Sequence, residues 1–97
     1  MFDNNSTQES VTASNFNPNP TSGATLREHV AISMQNYLQQ MNGQPLNEVY
    51  DLVLTQVEEP LLRAIMEHTR NNQTKAAQVL GLNRGTLRKK LKRYNLL

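Results

Sequence analysis

The chain of 97 residues contains no cysteine and no long apolar run. Without cysteine, disulfides and thiolate metal sites are excluded. No apolar run approaches the roughly 18 residues that a membrane-spanning helix requires, and the N-terminus lacks the basic and apolar regions of a signal peptide. We therefore expect a soluble, cytoplasmic protein that does not act at membranes.

Groupings of catalytic residues are also missing. The two histidines, His29 and His68, lie far apart and have no ligand spacing around them, so polar helix positions are their simplest interpretation. There is no nucleophile–base pair, no Gly-rich phosphate loop, and no paired carboxylates beyond the surface-like Glu58–Glu59. The sequence therefore predicts a protein that is not an enzyme and that uses no metal or cofactor.

Negative charge is absent from Arg70 onward, because all 8 acidic residues precede that position. Eight of the 10 basic residues lie in the same C-terminal segment, so the formal net charge of +2 is the sum of +8 there and −6 elsewhere. Such asymmetry favours a surface for a polyanionic partner. A chain this short buries only a modest core, so association with another chain is the expected support.

The first part of the chain divides at about residue 25. Residues 1–24 are rich in Asn, Ser, Thr, Gln and Pro, which predicts a flexible or weakly ordered N-terminal arm. Thr25 and Glu28 then form the pattern of a capping box, which predicts a helix over residues 26–42. Gly43 is the expected C-terminal stop of this helix.

A second helix is predicted over residues 48–70, with Asn47 as its N-cap. Pro60 either bends this helix or divides it in two; the apolar period continues in phase across it, which favours one kinked helix. Further apolar residues on a second side suggest covering from more than one direction, as by a partner chain. The second side contains Leu54, Leu62 and Met66. The expected core and dimer stripe contains Val49, Leu52, Val53, Val57, Leu61 and Ile65.

Two short helices are predicted over residues 73–80 and 84–94, with Asn83 as the N-cap of the second. A glycine-bearing turn of about three residues joins them, which describes a helix-turn-helix within residues 72–97. The alternative is a plain helical hairpin with a solvated basic face. Small residues at the helix crossing, a glycine that permits positive φ, and inward leucines favour the motif. These structural residues are Ala77, Gly81, Leu87 and Leu91.

The last helix turns its leucines inward and its cations outward, as a DNA-reading helix does. Residues near its N-terminus are placed to contact base edges, whereas the other polar and basic residues are placed to contact phosphates. The expected base contacts are Asn83, Arg84 and Lys89. The expected phosphate contacts are Asn72, Thr74, Thr86, Arg88, Lys90, Lys92 and Arg93.

The segment NQTKAAQVLGLNRGTLRKKLKRY, with VEEPLL before it and MNGQPLNEVYDLVL further upstream, resembles the Fis family of bacterial DNA-binding proteins. The resemblance covers residues 26–97. It implies an all-α, four-helix subunit with a C-terminal helix-turn-helix, in an intertwined homodimer built largely by residues 25–71. It also implies a nucleoid-associated transcriptional regulator that bends double-stranded DNA, because the two reading helices would lie closer together than successive major grooves of straight DNA.

The resemblance also implies roles for residues and partners. The family's DNA contacts fall on the residues named above, except that Lys92 and Arg93 lie only near them, and Arg84 would contact a guanine at each edge of a loosely defined site. Family members activate ribosomal RNA promoters and assist site-specific DNA inversion, which implies RNA polymerase and a DNA invertase as partners. The arm departs from the family pattern, because SNFNPNPTSG has two prolines and no acid where relatives have a β-hairpin. We therefore expect DNA binding and bending without the full inversion contact.

Three rival interpretations remain at this stage. A detached DNA-binding domain of an enhancer-dependent activator would share the helix-turn-helix, although Met1 and the chain length favour a stand-alone protein. A cationic membrane-surface helix would need more bulky apolar residues than the last helix has free. An RNA-binding surface would be expected to have aromatic residues interleaved with the cations to stack on bases, and this segment has none.

Overall fold

The computed structural model describes residues 24–97, which contain four α-helices and no strand. They are α1 (Leu26–Met41), α2 (Val49–His68), α3 (Gln73–Leu80) and α4 (Arg84–Arg93). The all-α prediction is confirmed, and each helix lies where the sequence places it to within two residues at either end. The predicted N-terminal arm lies outside the described residues except for Ala24. Within the described range, no helix has both the length and the apolar character to cross a membrane.

The chain divides into two units between Leu46 and Asn47. In the first unit α1 begins with the predicted capping box: the Thr25 side chain accepts the Glu28 N–H at 3.2 Å, and Glu28 Oε1 accepts the Thr25 N–H at 2.9 Å. The helix stops at Asn42, which is left-handed with φ 37°, one residue before the expected glycine. No side chain of α1 is buried in the single chain.

The start of α2 differs from the prediction. Glu48, not Asn47, precedes the first helical residue, and it is left-handed with φ 54° and makes no side-chain cap. An N-cap side chain acts from an extended residue directly before the helix, so Asn47 lies one position too early. Pro60 lies inside the helix, which confirms that α2 is one continuous helix. At the far end two left-handed residues, Arg70 and Asn71, turn the chain into α3.

The second unit is built around a small core shared by α2, α3 and α4. The side of α2 that enters this core is the one expected to be secondary. From the stripe predicted as core and dimer surface, Leu52 and Leu61 remain 42% and 46% exposed in the single chain. The apolar residues buried in this core are Leu62, Met66, Ala76, Ala77, Leu87 and Leu91.

The crossing of α3 and α4 depends on small residues, as predicted. Ala76 is 0% exposed and Ala77 5%, so larger side chains here would separate the two helices. Gly81 ends α3 with φ 73°, and an added Cβ would meet nothing within 4 Å. The backbone conformation, not a lack of space, therefore requires glycine at this turn.

Candidate nucleic-acid interface

The first turn of α4 presents the residues predicted to read bases. Asn83 is extended and its Oδ1 accepts the Gly85 N–H at 2.7 Å, which confirms it as the N-cap. Its Nδ2 hydrogens are not used by this bond and can donate to a base edge. Arg84 is exposed, and within residues 24–97 its guanidinium has no hydrogen bond or ion pair. The helix therefore begins with the unpaired guanidinium of Arg84 next to the side-chain amide of Asn83.

The rest of α4 is divided into an inner and an outer face. Leu87 and Leu91 are 0% exposed and hold the helix on the core. Thr86, Lys89 and Lys92 are exposed on the outside. The two lysines make no ion pair in the described part of the chain, so their ammonium groups are available to an external anion.

Three other predicted phosphate contacts already have partners in the chain. Arg88 Nη1 donates to Gln73 Oε1 at 2.9 Å, and Lys90 Nζ donates to Glu58 Oε2 at 2.7 Å. Arg93 forms an ion pair with Asp51 at the start of α2. The cations of α4 thus fall into a free group and a group with partners inside the chain, of which only Lys90 and Arg93 are paired with carboxylates.

The first turn of α3 lies beside this surface. Asn72 is extended and its Oδ1 accepts the Lys75 N–H at 3.0 Å, so it is the N-cap of α3. Thr74, two residues after Asn72, is exposed in the first turn of α3. Because Arg88 of α4 reaches Gln73, the N-terminal turn of α3 adjoins the outer face of α4. Hydroxyl and amide donors of α3 are therefore available next to the cations.

Glu58 is the most connected acidic residue in the described chain. It accepts from Lys90 through Oε2 and from the Tyr94 hydroxyl through Oε1, the latter at 2.6 Å. Burial raises the pKa of Glu58, but the hydrogen bonds from Lys90 and Tyr94, with the positive charges of Lys90 and Arg93, outweigh burial and leave the pKa below its usual value of 4.5. The hydrogen bond to Glu58 raises the pKa of Tyr94, burial adds to this, and a Thr55 hydrogen bond opposes it.

Glu58, Asp51 and Gln73 were missed as functional residues by the sequence reasoning. Glu58 appeared only as one of the surface-like acids Glu58 and Glu59. Asp51 and Glu58 are seven residues apart and so lie on one face of the helix. An acid repeated at this spacing, in a chain with a basic C-terminal helix, was the available signal.

The Glu58 cluster should make stability depend on acid. Because the pKa of Glu58 is lowered in the folded state, its stabilisation is present above the unfolded value and is lost as the pH falls through the folded pKa. We expect the free energy of unfolding to decrease when the pH is lowered from 7 to below about 4.5, and to decrease less in Glu58→Gln. Urea unfolding at pH 7 and at one pH below this value measures the difference. Glu59→Gln is the control, because Glu59 pairs with Arg63 on its own helix; an equal loss in all three proteins would contradict the assignment.

Comparison with known proteins identifies the family. Residues 53–94 match the family described as bacterial regulatory protein, Fis family, and residues 1–46 match the DNA-binding protein Fis N-terminal domain. DNA-binding protein Fis of Aliivibrio fischeri strain MJ11 is 52% identical over 97 residues, with 99% of each chain covered. The chain belongs to the Fis family. Its relative in Vibrio cholerae serotype O1 strain ATCC 39541 is 50% identical with the same coverage.

The Fis match bears on two earlier interpretations. The resemblance seen in the sequence is confirmed, and it extends to the N-terminal residues that the sequence comparison had left out. A match to the Fis N-terminal domain over residues 1–46 does not favour a detached domain of an enhancer-dependent activator. The match to the regulatory family begins within α2, so it covers Leu62 and Met66, which α2 supplies to the core beneath the helix-turn-helix.

Proposed function

We propose that this protein is a homodimeric, nucleoid-associated regulator of transcription that binds and bends double-stranded DNA. The observation that carries the proposal is a helix-turn-helix whose second helix begins with a free, exposed Arg84 and contains no acidic residue. Relatives named DNA-binding protein Fis, which align with the whole chain at about half identity, support it. As to domains, we propose an arm over 1–24, dimerisation over 25–71 and DNA binding over 72–97.

Base reading falls to the N-terminal half of α4. The guanidinium of Arg84 can donate two parallel hydrogen bonds to N7 and O6 of a guanine in the major groove. Asn83 keeps its amide hydrogens for a neighbouring base acceptor. Lys89 is exposed further along the same helix and can reach a base edge. Gly85 beside Arg84 has no side chain to hold the helix away from the groove floor.

Phosphate contacts supply salt-dependent affinity around this centre. Lys92 is free, and Asn72, Thr74 and Thr86 are exposed polar donors. Arg88 donates to a neutral amide, and Arg93 pairs with a half-exposed carboxylate in a weak surface ion pair, so a phosphate can replace either partner. For Lys90, also expected among these contacts, the structure favours another role.

A second copy of the chain is the partner that would cover the remaining apolar surface. Ile32 and Leu38 of α1 are 56% and 46% exposed, and Leu52 and Leu61 of α2 are similarly open. Apolar side chains recurring along two helices are typical of an interface. An intertwined pair would hold two α4 helices at a fixed separation, and DNA bending would follow where that separation is shorter than a helical turn of DNA.

The test combines solution mass with a mobility assay of bent DNA. We expect twice the single-chain mass of 11.0 kDa and retarded migration when the binding site lies at the centre of the fragment. Leu61→Asp should dissociate the pair and remove bending, because a charge would be buried at the interface. Gln56→Asp, at an exposed polar position on the same helix, is the matched control. A single-chain mass at binding concentrations, or unbent DNA, would exclude the proposal.

RNA polymerase and a DNA invertase are proposed as further partners on the basis of family membership. The arm segment SNFNPNPTSG, where we expect the inversion contact to be weakened, lies outside the described residues. An inversion assay beside the bending assay separates the two activities. We expect bending with little stimulation of inversion; full stimulation would contradict the expectation for the arm.

A further inference from the structure

Two acidic residues of α2 form a strip that holds the C-terminal half of α4. Asp51 and Glu58 pair with Arg93 and Lys90, and Glu58 also accepts a hydrogen bond from the Tyr94 hydroxyl at 2.6 Å. Their spacing of seven residues places both carboxylates on one face of α2. The basic end of α4 therefore rests on carboxylates of its own chain.

The two ion pairs of this strip differ in burial. In the Arg93–Asp51 pair the side chains are 46% and 52% exposed, whereas in the Lys90–Glu58 pair they are 30% and 13% exposed. An exposed pair is weak and exchanges with an external anion easily. Removing Lys90 from Glu58 would leave a largely buried carboxylate with only the Tyr94 hydroxyl, which is costly. A phosphate can therefore attract Arg93 much more readily than Lys90.

We propose that Glu58 is the internal counter-ion of Lys90, so that Lys90 positions α4 on α2 instead of contacting DNA phosphate. The inference rests on the proposed DNA binding. Glu58 then takes the place of a phosphate for this ammonium, and Tyr94 fixes the second carboxylate oxygen. Lys92, two residues along the same helix, is the cation that reaches the DNA backbone.

The salt dependence of DNA binding tests this role, because its slope counts the cations that contact phosphate. Each such contact contributes about 0.9 to the slope of log affinity against log salt. Lys92→Gln should make the slope shallower by about 0.9 for each α4 bound. Lys90→Gln removes the same charge from the same helix and should leave the slope at the wild-type value. Fluorescence anisotropy with a random-sequence duplex over a fourfold range of salt measures both.

Variants of Glu58 test whether Lys90 contacts phosphate once its internal partner is removed. Glu58→Gln keeps an oxygen acceptor for Tyr94 but frees Lys90, so the slope should steepen by about 0.9 for each α4 bound, which is roughly a threefold change in relative affinity across the salt range. The double variant Glu58→Gln with Lys90→Gln should return to the wild-type slope. Glu59→Gln removes the same charge from α2, but Glu59 pairs with Arg63 and not with Lys90. This variant should therefore keep the wild-type slope. A residue that served folding alone would produce none of these slope changes.

The outcomes separate this inference from the proposed function. A Lys90→Gln slope as low as that of Lys92→Gln, or an unchanged slope in Glu58→Gln, would overturn the counter-ion role while leaving DNA binding intact. Failure of the wild-type protein to bind any duplex would overturn the proposed function, and this inference with it. Circular dichroism checks folding, and the comparison of Lys90→Gln with Lys92→Gln decides the question even where Glu58→Gln does not fold.

Discussion

Replacing Arg84 by alanine is expected to remove most of the discrimination between a preferred duplex and random DNA. A bidentate contact to guanine contributes about 1–3 kcal/mol of discrimination, which corresponds to roughly 5- to 150-fold for each α4 bound. Arg84 needs no reorganisation within the described chain to make this contact, because its guanidinium is exposed and unpaired. Competition titrations with a duplex selected from a random pool by the wild-type protein, against random DNA, measure the ratio.

Lys92→Ala is the matched control for Arg84→Ala. It removes one positive charge from the same helix, at a position that faces outward and has no partner in the described chain. Loss of a phosphate contact should weaken selected and random duplexes alike and leave their ratio unchanged. If Lys92→Ala reduced discrimination and Arg84→Ala weakened all duplexes equally, the assignment of groove and backbone contacts would be reversed.

Replacing Leu62 by alanine is expected to remove a large fraction of the stability of the helix-turn-helix. Leu62 is 1% exposed and belongs to the core that α2 shares with α3 and α4. Truncation of a buried leucine costs about 2–5 kcal/mol, whereas small proteins have a total stability of about 5–15 kcal/mol. Leu62 lies well outside α3 and α4, yet its truncation should weaken DNA binding at 37 °C, because it increases the unfolded population of the helix-turn-helix. Urea unfolding followed by circular dichroism, beside DNA binding at 37 °C, measures both effects.

Val79→Ala is the control for Leu62→Ala. Val79 is on α3 but is 54% exposed, so its truncation leaves no cavity and should change stability by less than about 1 kcal/mol. A Leu62→Ala protein as stable as Val79→Ala would show that α2 does not support the helix-turn-helix. The two helices of the motif would then have to fold on each other alone.

Local signals in the sequence predicted local structure well. The capping box at Thr25, the N-cap Asn83 and the left-handed Gly81 all act through neighbours within three residues, and each is observed. Asn47 failed because the next residue, Glu48, is left-handed. A favourable cap residue cannot show which conformation its neighbour will adopt.

The faces of α2 were the harder problem. Apolar residues on two sides of one helix satisfy the same periodicity, so the pattern indicated two covered sides without ordering them. Packing against α3 and α4 placed Leu62 and Met66 in the core and left Leu52 and Leu61 largely exposed. Both sides had been predicted to need covering, but only contacts between helices distant in sequence determine which side the chain covers itself.

The amino-acid sequence by itself determined the four helices, the helix-turn-helix, the family and the charge of the last helix, since these depend on spacing and residue type within short segments. Only the tertiary structure decided which cations of α4 are free. Lys90 and Tyr94 meet Glu58 across 32 and 36 residues of chain. Such pairing depends on how two helices pack, and neither periodicity nor composition contains that information.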